Sequence, residues 1–364
     1  MTLRIFELRG TSPRGWGQQH GETFRDDVRA LYAVRLRLML QKTDLATEAN
    51  VLALAGHHLP ALERFDGALY EELCGIADGS GLTPAHLVVV NHYTDLRDLA
   101  QKDLQALRES KTDPGGCSAW FVDDGDERLL GQTWDMHGSA TPFALLLLVP
   151  DADPARGGRT ACFTVTGCLG MTGMTSWGTA LSINNLNSLD ATIGVVWPAT
   201  VRRALREKSA RDELAILQAA PIGSGRHYLV ADAVDAFGME TSGTRKKVIF
   251  EASRSSSSSA SRAGSYFHTN HCVDEEMKPT AKILAGSTTV QRYQTLQART
   301  DEGRIPKTAR EMFDAFADVA LQPNPALVDD VATCGALVMD LKRGTVLACQ
   351  GIPGPTADVI ELAP

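Results

Sequence analysis

At residue 117 this sequence changes its period, and the change restricts the architectures open to the chain. The first hundred residues carry apolar positions at helical spacing: over 21–40 these are Phe24, Val28, Leu31, Tyr32, Val34 and Leu36. Further helices are expected over 48–58 and 59–80, the latter stopped by Gly79-Ser80-Gly81, and a short one opens at Thr83-Pro84. From Cys117 onward short apolar runs take over. Residues 118–122 and 128–134 flank Asp123-Asp124-Gly125-Asp126, a hairpin turn signal. Strands are expected at 144–149, 161–166, 180–184, 227–232 and 247–251, interrupted by one or two helices over 199–219. Two more helices span 288–300, with Ser287 as N-cap, and 308–320. A last hairpin, 335–340 and 345–349, turns at Lys342-Arg343-Gly344. Helices first and strands later imply an α+β protein with two sheets covered by helices.

A chain of 364 residues, 43% hydrophobic and 22% charged, has the composition of a soluble globular protein with room for about two domains. The net charge of −8 argues against nucleic-acid and anionic-membrane partners. The longest apolar run, 143–149, is too short to span a bilayer, and no secretory signal is visible at the N-terminus. Seven scattered cysteines, odd in number and without a CxxC pair, fit a reducing cytoplasm rather than a disulfide framework. The serine-rich run 253–265 is expected to be a flexible surface loop, and 99–112 an exposed charged stretch. No metal is expected, because His268, His271 and Cys272 lack a fourth ligand at zinc spacing. Phosphate-binding glycine motifs are absent.

The chemistry concentrates at Gly115-Gly116-Cys117-Ser118. A cut between Gly116 and Cys117 gives one residue both a thiol and a free α-amine, a nucleophile carrying its own base. The α-amine has a reference pKa of about 7.7–8.0, so part of it is neutral near pH 7 and able to take the thiol proton. The two glycines are expected to allow the strained backbone such a cut needs. Hairpin pairing about Asp124-Gly125 puts Cys117 opposite 132–134 and makes Asp135 a diagonal neighbour, placed to hold the new terminus.

Gly-Gly-Cys-Ser, a short hairpin and Gly131-Gln132-Thr133-Trp134-Asp135 resemble the penicillin acyltransferase family, the acyl-coenzyme A:6-aminopenicillanic acid acyltransferases. The resemblance extends over nearly the whole chain, through 8–21, Glu71 to Gly79, Val88 to Asp95, His268-Thr269-Asn270-His271 and Gly286 to Arg292. It implies a four-layer αββα N-terminal-nucleophile hydrolase fold. The precursor would cut itself into a mainly helical piece, 1–116, and a catalytic piece, 117–364, that stay associated as one globular unit. Cys117 would be nucleophile and processing residue, Asp135 its positioning partner, Asn270 an oxyanion-hole donor, and Arg292 a charge holding the thiolate or the aspartate. Trp134, Thr175, Trp177 and Ser287 are the candidate substrate contacts. Thr175 departs from the asparagine that many relatives carry there.

The expected substrate is an N-acyl amide (penicillin-like, aminoacyl or fatty), with the acyl group passing through a Cys117 thioester to water or an amine. No cofactor is required, although a coenzyme A thioester would serve as acyl donor, and a homo-oligomer is compatible with the sequence. Two other readings stay open: an uncleaved, non-catalytic binding protein, and a conventional cysteine hydrolase using His137 or His268.

Overall fold

The computed structural model describes residues 2–100, 116–151, 155–255, 264–284, 286–324, 326–327 and 329–364. Most of the charged stretch 99–112, Gly115 and the serines of 256–263 lie outside the described residues.

Among the described residues, six helices fill the N-terminal third: α1 (Pro13–Thr23), α2 (Arg25–Lys42), α3 (Glu48–Gly56), α4 (Leu59–Phe65), α5 (Gly67–Ser80) and α6 (Pro84–Ala100). The single helix expected over 59–80 is two, because Asp66 leaves helical geometry and its side chain caps α5 at Leu69 N. Gly81, at φ +68°, ends α5 as the glycine stop implied. The short helix expected at Thr83-Pro84 runs seventeen residues, with a break at His92 (φ −121°, ψ 20°).

Helices α1 and α5 touch backbone to backbone. A Cβ on Gly17 would stand 2.0 Å from the Glu72 carbonyl oxygen, and one on Gly75 would stand 2.2 Å from that of Arg14. Both neighbours are rigid backbone, so the helices would have to separate. Gly75→Ala is expected to cost about 1–3 kcal/mol, read as a lowered midpoint in urea unfolding.

Two sheets follow. The larger has eight strands in the order β1 (Arg4–Glu7), β4 (Ala144–Pro150), β5 (Arg159–Val165), β6 (Thr172–Thr175), β7 (Ala180–Asn185), β8 (Arg226–Ala231), β9 (Asp235–Thr241), β10 (Lys246–Ser253). The smaller has six, ordered β11 (Ser265–His268), β2 (Ala119–Asp123), β3 (Arg128–His137), β12 (Val331–Asp340), β13 (Thr345–Gln350), β14 (Ile360–Leu362). Strands β2, β3, β4, β5, β7, β8, β10, β12 and β13 match the expected runs to within a few residues. The short strands β1, β6, β11 and β14, and β9, were not expected.

The sheets pack face to face. Trp134 of β3 meets Phe163 of β5 edge-on, and the Ile183 N–H of β7 donates to Gln132 Oε1 of β3 at 2.8 Å. Helices cover both outer faces. Trp16 of α1 packs on Leu145, Leu147 and Val149, and α8 (Ala210–Ala219), which follows α7 (Trp197–Ala204), lies on β8 and β9. On the other side α9 (Thr289–Asp301) and α10 (Ala309–Ala315) bury Leu296, Met312 and Phe313 against Trp120, Val338 and Leu347. The layering is helix, sheet, sheet, helix, the αββα arrangement that the resemblance implied.

Strand β1 belongs to the N-terminal region yet pairs in parallel with β4, Arg4 opposite Leu145. Glu72 of α5 and Arg202 of α7 form a buried two-pronged ion pair at 3.0 Å per contact. Residues 2–100 are therefore built into the fold rather than appended to it. Among the described residues, no single helix is long and apolar enough to cross a membrane.

Candidate active site

The β2–β3 hairpin sets the site. Its register pairs Ala119 with Gln132 and Gly116 with Asp135, so Cys117 falls opposite Trp134. Asp135 sits within β3, which runs on to His137, and not at a strand end.

The peptide bond ahead of Cys117 is held at every polar atom. The Gly116 carbonyl accepts from Asp135 N–H at 2.8 Å, and Gly116 N–H donates to the Asp135 carbonyl at 2.8 Å. Cys117 N–H donates to Asn270 Oδ1 at 2.7 Å. The Cys117 carbonyl accepts from Asn184 Nδ2 and from the Arg292 guanidinium, both at 2.9 Å.

Asn270 lies past the end of β11, and its orientation is settled by its neighbours. Arg292 also donates to Asn270 Oδ1, at 2.8 Å, and a guanidinium has no acceptor, so the oxygen must face it. Asn270 Nδ2 is directed to the Asn185 carbonyl at 2.9 Å. In this arrangement Asn270 accepts from the Cys117 nitrogen. The oxyanion-hole donor implied for it is already occupied elsewhere.

Arg292, on the first turn of α9, is buried and fixed by Thr288 Oγ1, Ser118 Oγ and the Cys117 carbonyl. Asp135 is fully buried, accepts from the Thr333 hydroxyl at 2.7 Å and stands 3.9 Å from the Arg292 guanidinium. The expectation that Gly116 is needed for a strained backbone is corrected, since its φ is not positive and no cis bond occurs among the described residues. Space is the reason instead. A Cβ at Gly116 would lie 2.7 Å from the Arg292 guanidinium and 3.1 Å from Asn270 Oδ1.

Burial pushes the Cys117 thiol up to about 12, the Asp135 charge adds to the rise, and Arg292 opposes it. The thiol is therefore protonated and dormant while its nitrogen is an amide. The two histidines weighed as bases do not reach it. His268 spans Glu240 Oε1 at 2.9 Å and the Thr269 carbonyl at 2.8 Å, while His137 pairs with the Ser139 hydroxyl.

A narrow cavity opens beside Cys117, walled by Trp134, Met136, Ile183 and Trp197, with Thr94, Asn185 and Arg226 as polar groups. Of the candidate substrate contacts, Trp134 is here. Thr175 and Trp177 are not: they sit at the start of the turn into β7, whose far end carries Asn184 and Asn185. Trp177 instead lies under the Lys208 ammonium at 3.8 Å, and Thr175 bonds Thr179 at 2.9 Å. The sequence reading places them by motif order, which does not reveal which end of a strand faces the nucleophile. Ser287 is also displaced: Thr288 is the N-cap of α9, and Thr289 is the helix residue that touches the site, its Oγ1 accepting from Asn270 N–H at 2.7 Å. Two residues at the end of β7 that were not among the candidates stand at the site: Asn184 Nδ2 donates to the Cys117 carbonyl and Asn185 lines the cavity. Their doubled asparagine at the end of an apolar strand was the available signal.

Residues 120–347 match the family described as acyl-coenzyme A:6-aminopenicillanic acid acyl-transferase. The 40 kDa form of acyl-coenzyme A:6-aminopenicillanic-acid-acyltransferase from Emericella nidulans is 24% identical over 269 residues, 72% of this chain and 68% of that protein. Among solved structures, penicillin V acylase from Agrobacterium tumefaciens is 12% identical with a TM-score of 0.38, over 68% of this chain and 86% of the other. A mutant of conjugated bile acid hydrolase from Clostridium perfringens is 10% identical with a TM-score of 0.43, over 68% of this chain and 92% of the other. The family match spans more than half of the sequence, and the chain belongs to the acyl-coenzyme A:6-aminopenicillanic acid acyl-transferase family.

Proposed function

We propose that this chain, an acyltransferase or amide hydrolase by family, cuts itself before Cys117 and works through the freed residue. The observation that carries the reading is the arrangement of the Gly116–Cys117 bond. One backbone N–H is set on the carbonyl that must bear negative charge, and an amide oxygen is set on the nitrogen that must leave. In the cut, Cys117 Sγ bonds to the Gly116 carbonyl carbon and the C–N bond breaks. The thiol proton passes to the departing nitrogen, and water then hydrolyses the thioester, leaving Gly116 as a carboxylate.

The freed amine keeps Asn270 Oδ1 as its acceptor, which leaves its lone pair for the thiol proton. Asp135 and Arg292 hold the two sides of that terminus. The thiolate attacks the carbonyl of an N-acyl amide, the amine leaves with a proton from the Cys117 ammonium, and water or an acceptor amine releases the acyl group. Asn185, which lines the cavity and carries an amide donor, is assigned the substrate oxyanion in this reading, the role first given to Asn270. The apolar walls Trp134, Ile183 and Trp197 suit an apolar acyl group, and a coenzyme A thioester is a chemically equivalent donor.

Intact-mass analysis of purified full-length protein, followed by turnover of a panel of N-acyl amides, tests the reading. Two co-purifying pieces, the larger beginning at Cys117, together with acyl release, are expected. Active protein that stays a single polypeptide would overturn it. Gly116→Ala displaces Arg292 from Asn270, and processing is expected to slow about 10- to 100-fold, measured as the half-life of the full-length band.

A further inference from the structure

We propose that the N-terminal piece remains a working part of the processed site, supplying two positioning residues, Thr94 and Asp95, that fix Arg226 and through it Asn185. The inference rests on the reading that cleavage before Cys117 creates the nucleophile.

Arg226 of β8 has its side chain 1% exposed, beside the Cys117 cavity. Its guanidinium donates to Asn185 Oδ1 and the Gly225 carbonyl, both at 2.6 Å. The other nitrogen donates to Thr94 Oγ1 at 2.7 Å and forms an ion pair with Asp95. The Trp197 ring lies 5.0 Å beneath it. Since a guanidinium only donates, Asn185 must turn its oxygen to Arg226 and its Nδ2 away. There Asn185 Nδ2 finds Asn187 Oδ1 at 3.4 Å, the outer limit of a hydrogen bond, while the same oxygen accepts from Arg97 at 2.7 Å. Donor capacity is left in the wall of the cavity.

Among the described residues, every group that sets this orientation from outside the C-terminal piece comes from one stretch of α6, beyond the break at His92. The same stretch is anchored by Asp98, whose carboxylate accepts from Ser188 N–H at 3.1 Å and Ser224 Oγ at 3.0 Å. Loss of the stretch would leave Arg226 a buried cation without its counter-charge, free to abandon Asn185. The residue that shares the cavity with the nucleophile is thus held by the piece that cleavage separates from it.

The test uses the full chain as wild type, Asp95→Asn, Thr94→Val and Thr94→Ser. Intact mass reads cleavage, gel filtration reads retention of both pieces, and steady-state kinetics are measured on an N-acyl amide that wild type turns over. Asp95→Asn and Thr94→Val are expected to cleave and keep both pieces. Their kcat should fall about 10- to 100-fold with KM changed little, because a transition-state donor has lost its aim. Thr94→Ser keeps the hydroxyl and is expected to restore kcat. Should Asp95→Asn fail to fold, the Thr94→Val and Thr94→Ser pair carries the test. Cleaved variants with wild-type kcat overturn the inference alone. A wild type that is active but never cleaved overturns the underlying reading and the inference with it.

Discussion

Cys117→Ala is expected to migrate as one 39.2 kDa chain and to release no acyl product, where the unmodified protein yields pieces of 116 and 248 residues. The variant removes in one step the residue proposed both to cut the chain and to attack the substrate. Nothing else described in the site replaces either: Asn270 accepts from the nitrogen, Arg292 and Asn184 hold the carbonyl, and His137 and His268 are bonded elsewhere. Removal of a nucleophile that acts as a unit with its base costs on the order of 10⁴-fold in kcat or more. A small side chain in the same pocket leaves the packing nearly unchanged, so circular dichroism of the variant should match that of the unmodified chain. Cleavage at the same bond in Cys117→Ala would show that another group attacks, and the mechanism would fall.

The second large effect is acid unfolding. His20, His58, His92, His137 and His227 are all buried, and burial lowers the pKa of each, to about 3 for His20 and His137. In the unfolded chain these rings take protons near pH 6.5. Between pH 6.5 and the depressed native values the unfolded state therefore binds more protons. Stability is complete above pH 6.5 and declines as pH falls below it, by on the order of 1 kcal/mol per pH unit for each of the deeply lowered rings His20, His92, His137 and His227. Buried Glu213, whose pKa burial raises, works in the opposite sense, one group against the five buried histidines, which the half-buried and likewise lowered His86 and His271 reinforce. The thermal midpoint of the Cys117→Ala chain is expected to hold from pH 8 to 6.5 and to drop by more than about 10 °C by pH 5. A midpoint that stays level down to pH 5 would contradict the assignment of these rings as neutral and buried.

The sequence disclosed the hairpin and its consequence more fully than the rest of the site. Two short apolar runs joined by the turn Asp123-Asp124-Gly125-Asp126 fix a register, and register alone brings Asp135 beside Gly116 and Cys117. Asn270 and Arg292 could be named only by likeness of motif, since 153 residues separate Cys117 from the amide it meets and no local pattern encodes that contact. Thr175 and Trp177 show the cost of the same approach: being on the right strand pair is not being at its right end. Arg226 left no signal and Asp95 only closed a stretch of family likeness, because each reads as an ordinary charged residue until the fold buries both. Among the strands, those missed are mostly the ones of three or four residues, too short for alternation to register.

Strand β1 has an outcome for how the enzyme ages. Arg4–Glu7 is hydrogen-bonded into the larger sheet beside β4, so a cut before residue 117 leaves one sheet knitted from two polypeptides. Before the cut, a molecule that opens can close again by itself. Afterwards, reclosing needs an encounter between separate fragments, and the lifetime of the active form is governed by how slowly it first comes apart. Under the proposed cleavage, activation and renaturability would be exchanged in a single event.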